Sequence, residues 1–150
     1  MTGSTAQLSS AGSIVTVPRL TLAGARSIAD AALDAATALD AAVVVCVCDP
    51  AGDPIVSVRM DGAFKFSIPI AAKKAWTAAA AGVSTSALAV QFQGDPTLLH
   101  GLAPKVDDLM AVGGGTPIVV DDHVAGAVGV SGATEEVDQQ IADTAARAVS

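Results

Sequence analysis

Five charged side chains, Arg59, Asp61, Lys65, Lys73 and Lys74, crowd into sixteen consecutive residues of a chain in which only 15% of residues are charged. They belong to the stretch "RMDGAFKFSIPIAAKKAW", residues 59–76. Cations gathered around one carboxylate can hold an anionic guest, or can move a proton with Asp61 or Lys74 as acid or base. Two neighbouring ammonium groups disfavour each other's charged form, so the Lys73–Lys74 pair leans toward a proton-transferring amine. The same charges also fit a solvated corner, where exposed ion pairs contribute only about 0–1 kcal/mol.

Other stretches exclude more than they offer. "GGGTP", residues 113–117, can aim consecutive backbone N–H groups at one anion. It lacks the Lys-Ser/Thr ending of a P-loop, which argues against nucleotide hydrolysis. "GAVGVSG", residues 126–132, has glycines at a spacing of three and does not match the dinucleotide fingerprint. Its glycines suit a strand that another backbone passes closely. His100 and His123 lack the acidic and imidazole spacing of a zinc site, and no metal is expected. No serine stands in a nucleophile elbow, so a hydrolytic triad has no support. Cys46 and Cys48, two apart in a valine-rich run, read as buried thiols on one face of a strand.

Composition narrows the classes further. Fifteen acids against eight Lys and Arg give a net charge of −7, which argues against nucleic acid as partner. The longest apolar run, Ala41–Cys48, is far too short to span a membrane. "MTGSTAQLSSAGS" has neither the basic patch nor the apolar segment of a signal peptide, so the expected location is the cytoplasm. At 150 residues the chain reads as one domain, residues 16–150, after a flexible tail over 1–15.

The elements that must position these residues follow from periodicity. Ala25, Ile28, Ala29, Ala32, Ala36 and Leu39 form one stripe of a helix over 22–39, with Thr21 as its cap. Residues 42–48 are continuously apolar, as in a strand covered on both faces. "DPAGD" supplies a turn into a partner strand over 54–60. A second helix is expected over 68–81, capped by Ser67, with Ile68, Ala72, Ala75 and Ala79 packed inward. Lys73 and Lys74 then lie on its opposite side, and Gly82 ends it. A short helix over 86–92 and a patternless loop over 93–108 follow. Strands are expected at 109–112, 118–120 and 124–132, and a last helix after Thr134. The order is α-β-β-α-α-β-β-β-α. Short links and doubly apolar strands imply an α/β (α+β) fold of three layers, helices on both faces of a five-stranded antiparallel sheet.

"RMDGA", "S-x-x-x-A-x-K-K-A-x-T-A", "STSAL", "GGGTPI" and "GAVGVSGAT-x-E-x-D" stand in this order along the chain. In that order and spacing they resemble the GlcG/HbpS family, also met as the C-terminal domain of some corrinoid adenosyltransferases. The resemblance covers residues 17–149. It implies a profilin-like α/β/α fold and homo-oligomers from dimers to octamers. Some members bind heme or a corrinoid and some are linked to heme breakdown. Carried over by motif, the site residues are Arg59, Asp61, Ser67, Lys74 and Thr85, with Gly113, Gly114 and Gly115 nearby. Thr85 matches the threonine that lies near the iron in heme-binding relatives. No strong axial ligand stands at the motif positions, so the cofactor stays open.

Two functions of different kinds follow. In the first, a polar-lined pocket beside the second helix binds a small organic ligand, heme or another tetrapyrrole. Arg59 and Lys74 would meet its carboxylates, and Thr85 or His100 would approach its metal. In the second, the protein is a cofactor-independent isomerase, lyase or hydrolase acting on a small carbonyl or hydroxylated metabolite. Asp61 and Lys74 would serve as acid and base, while Arg59 and the Gly113–Gly115 amides would stabilise an oxyanion.

Overall fold

The computed structural model describes residues 12–149, so most of the expected N-terminal tail lies outside the described residues. Helix α1 spans Leu22–Ala38 and is capped by Thr21, whose hydroxyl accepts from the Gly24 N–H at 3.0 Å. Strands β1, Val44–Cys48, and β2, Pro54–Arg59, form a hairpin around the 49–53 turn. Helix α2 covers Ser67–Ala81 and α3 covers Thr85–Gly94. Helix α4, Pro96–Leu102, precedes β3, Gly115–Val120, and β4, His123–Ser131. Helix α5, Glu135–Ala146, closes the chain, followed by one short 3-10 turn.

The strands make one antiparallel sheet in the order β2-β1-β4-β3. It has four strands among the described residues, not five. The segment expected as a strand at 109–112 is irregular because α2 claims its hydrogen bonds. Met110 N–H donates to Thr77 Oγ1 at 2.8 Å, and that hydroxyl donates to Asp108 O at 3.1 Å.

The pleat of β1 divides the interior. Val45 and Val47 pack with Ile28, Ala32, Val128, Val130, Ile141 and Ala145, so α1 and α5 cover one face. Val44, Cys46 and Cys48 pack with Ala71, Ala75, Ala78 and Ala127, so α2 covers the other. Continuous burial of all five β1 residues is therefore the cause of its unbroken apolar sequence.

Helix α2 lies very close to β4 because Gly129 has no side chain. A Cβ there would collide with Ala71 O and stand 2.5 Å from Ala75 N. The inward face of α2 is accordingly Ala71, Ala75, Ala78 and Ala79; of the expected stripe Ala75 and Ala79 are buried, whereas the helix is turned so that Ile68 is exposed and Ala72 only partly covered. That rotation carries Lys74 and Thr77 inward as well. Ser67 is the first helical residue rather than the cap, so its hydroxyl caps nothing. Its Oγ is buried and has no hydrogen-bond partner.

Helix α4 occupies what reads in sequence as a loop. Its signals are local: Asp95 Oδ1 accepts from Leu98 N–H at 3.3 Å, and Pro96 stands at the first helical position.

Candidate functional site

The charged cluster of residues 59–74 separates in space. Arg59 and Asp61 are exposed at the end of the edge strand β2, where they line a shallow depression with Leu33, Val58 and Met60. Lys65 is exposed in the following turn. Lys73 reaches sideways to Asp107 O at 3.2 Å. Lys74 is 2% exposed and points through the molecule. Its ammonium donates to Val130 O at 2.9 Å and pairs with Asp138 Oδ2 on α5 at 3.1 Å. Lys74 therefore crosses from the α2 face of the sheet to the α5 face, away from Asp61. An acid–base pair of Asp61 and Lys74 in one pocket does not form.

The triple-glycine segment is what lets Lys74 cross. Gly114 adopts φ of +133°, and a Cβ on it would stand 2.8 Å from Lys74 Nζ and 2.9 Å from its Cδ. Two of the three glycine amides of this segment are also already engaged. Gly114 N–H donates to Gln139 Oε1 at 2.8 Å, and Gly115 N–H donates to Thr85 Oγ1 at 2.8 Å. An oxyanion hole needs unengaged donors, so these two amides cannot supply one as they stand. Thr85 is fully buried, and its hydroxyl also donates to Val112 O at 2.7 Å. It ties the start of α3 to residues 112–115 from one side. Gln139 ties them from the other, donating to Gly115 O, Thr116 Oγ1 and Asp143 Oδ1.

Asp138, Gln139 and Asp143 were not singled out by sequence. Only Asp138 had a signal, as the last letter of "GAT-x-E-x-D". The lysine it serves lies 64 residues earlier, beyond the reach of any local pattern.

Two clefts flank α3 and share Ala89 and Gln93. The cleft between α3 and α5 holds about 590 Å³; Gly113, Gln139 and Asp143 line it, and Glu135 and Glu136 add further acidic groups. Arg147 is its one cation. The second cleft, about 460 Å³, lies among α3, α4 and the 109–112 segment. Phe92, Leu99, Leu109, Met110 and Val112 make its walls largely apolar. His100 is exposed on α4, next to the wall residue Leu99. Both volumes fall in the range of small-molecule sites, roughly 300–1,000 Å³.

The cysteines belong to neither cleft. Both are free and buried against α2. Burial pushes the Cys46 thiol up to about 11. Burial, reinforced by the neighbouring Cys46, pushes Cys48 up to about 12. Thiols held this strongly protonated are poor nucleophiles and poor metal ligands. Among the described residues no group of three or more His, Cys, Asp or Glu could hold a metal ion. None of their helices is long and apolar enough to cross a membrane.

Comparison with known proteins adds to this geometry. A family model described as "Haem degrading protein HbpS-like" matches residues 20–147. An uncharacterized 15.0 kDa protein of Citrobacter freundii, from its dhaT-dhaS intergenic region, is 34% identical over 129 residues. These are 86% of this chain and 91% of that protein. The crystal structure of Klebsiella pneumoniae protein ORFY superposes with a TM-score of 0.85 at 36% identity, covering 91% of this chain and 94% of the other. A crystal structure of a PduOC:heme complex superposes with a TM-score of 0.80 at 32% identity, covering 87% of this chain and 94% of the other.

Proposed function

The chain belongs to the HbpS-like family, and from that premise we propose that it binds a flat tetrapyrrole of the heme type in the apolar cleft beside α3. The observation that carries this reading is the likeness to the PduOC:heme complex over 87% of the chain. The choice of cleft is a matter of solvation. A macrocycle gains most of its affinity from apolar surface removed from water, about 25 cal/mol per Å². The walls formed by Phe92, Leu99, Leu109, Met110 and Val112 provide that surface. The neighbouring cleft presents Glu135, Glu136 and Asp143, which would repel the carboxylates of heme.

Chemistry at the iron would come from two groups. Met110 lines the cleft with a thioether, and His100 stands one residue from the wall. Methionine and histidine are both heme-iron ligands. Thr85 acts one step away, holding Val112 and Gly115 in place through its hydroxyl.

Titration of the purified protein with hemin tests this. A saturable Soret shift is expected, altered in Met110→Ala or His100→Ala and abolished by Leu99→Glu. A spectrum indistinguishable from free hemin would remove heme from consideration. A shift unchanged by Leu99→Glu would move the ligand out of this cleft.

A further inference from the structure

The two sides of the apolar cleft beside α3 are held very differently. One wall, residues 109–112, is fixed by two threonines that are each at most 1% exposed. Thr77 Oγ1 donates to Asp108 O at 3.1 Å and accepts from Met110 N–H at 2.8 Å. Thr85 Oγ1 donates to Val112 O at 2.7 Å and accepts from Gly115 N–H at 2.8 Å. Each hydroxyl bridges an acceptor and a donor of the same irregular segment, and Lys73 adds its bond to Asp107 O. Hydrogen bonds to α2 and α3 thus hold this wall at both ends.

The facing wall is α4, and nothing comparable holds it. None of its seven residues is buried, and it leans mainly on α3. Among the described residues its hydrogen bonds are local ones, to itself or to the chain that adjoins it. A helix this short is marginal without tertiary support. Gly101 inside it weakens it further, and Gly94 stands at its joint with α3. An element with few buried apolar contacts opens locally at low free-energy cost. Yet α4 supplies Leu99 to the cleft, and that side chain is 36% exposed. A ligand lying in the cleft would take Leu99 out of water.

We propose that α4 is a lid. It unfolds locally between Gly94 and Pro104 to admit a ligand, then folds over it with Leu99 as the inward contact. Thr77 and Thr85 keep the opposite wall still, so the cleft opens on one side only. Folding of α4 and occupation of the cleft stabilise each other, because their contact exists only in the bound state. The lid rests on the reading of this cleft as the ligand site, and not on the ligand being a tetrapyrrole.

Hydrogen exchange of the full chain, followed by mass spectrometry, tests this. In the free protein the amides of α4 should exchange at least about tenfold faster than those of α5. Saturating hemin should slow them about tenfold or more and leave those of α1 unchanged. Gly94→Ala and Gly101→Ala stiffen the lid without a clash, since a Cβ at either position meets nothing within 4 Å. Each should slow α4 exchange about two- to fivefold, and hemin association in stopped flow should slow by the same factor. Free protein in which α4 is as protected as α5 overturns the lid. So does a Soret shift with α4 exchange unchanged, which leaves the tetrapyrrole reading standing. Alanine variants that slow exchange but not association overturn it as well. If hemin gives no Soret shift, the apolar dye anilinonaphthalene sulfonate takes its place. Protection of α4 by the dye then supports the lid and discards only the tetrapyrrole, whereas unchanged exchange discards both.

Discussion

Lys74 is the residue whose surroundings say most about this protein. A buried ammonium costs several kcal/mol to desolvate and survives only when paired and hydrogen-bonded. Asp138 and Val130 O meet both needs. Removing one partner leaves the other charge stranded, so Lys74→Met should lower unfolding free energy by about 3–5 kcal/mol in urea titrations. Adding Asp138→Asn removes the stranded charge and keeps an amide oxygen for the Ala133 N–H that Asp138 Oδ1 now accepts at 3.0 Å. The double variant should therefore be more stable than Lys74→Met alone. The cysteines make a second prediction. Below their ordinary value of 9.0 both thiols hold their protons in the folded and the unfolded chain. Above it the unfolded chain releases protons that the folded chain keeps until about 11 and 12. The unfolded state is favoured as they leave, so stability should fall as pH rises from 9 toward 12. Replacing both cysteines by alanine or valine should flatten that part of a melting-temperature profile. In the wild type, thiol reagents should react only after denaturant is added.

Among the elements, α2 is placed by what β4 lacks. Gly129→Ala should push the helix off the sheet and destabilise the fold by about 1–3 kcal/mol or more, measured by thermal or urea unfolding. The glycine pattern "GAVGVSG" raised this close approach as an expectation, and the backbone of α2 at Ala71 and Ala75 fulfils it. Helix α4 gives the opposite lesson. Its cap and its first-turn proline are plain in "GDPTLLHGL", yet the weak amphipathic pattern after them reads as loop. Asp95→Ala should cost about 0.5–2 kcal/mol of local stability. Because α4 contributes Leu99 to the apolar cleft, the same change should weaken hemin binding in a Soret titration if the ligand lies there.

At the scale of the whole molecule, a net charge of −7 sets the response to salt. Self-repulsion of the acids opposes the compact state and is screened by ions. Moderate sodium chloride should raise the melting temperature slightly. A fall in melting temperature would indicate that specific ion pairs, such as Arg19 with Asp49 at 2.9 Å, outweigh the general repulsion. The sequence by itself determined the helices with strong periodicity, the β1–β2 hairpin, the doubly covered β1 and the family, because each is carried by neighbours in the chain or by motifs in fixed order. It could not determine the rotation of α2 about its axis. Alanine fills both stripes of that helix, and hydrophobicity alone does not choose between them. The choice fell to Gly129, which admits the backbone only at Ala71 and Ala75, and that choice sent Lys74 inward to a carboxylate 64 residues away. Residues 59–74 therefore form one charged cluster along the chain and several separate ones in space.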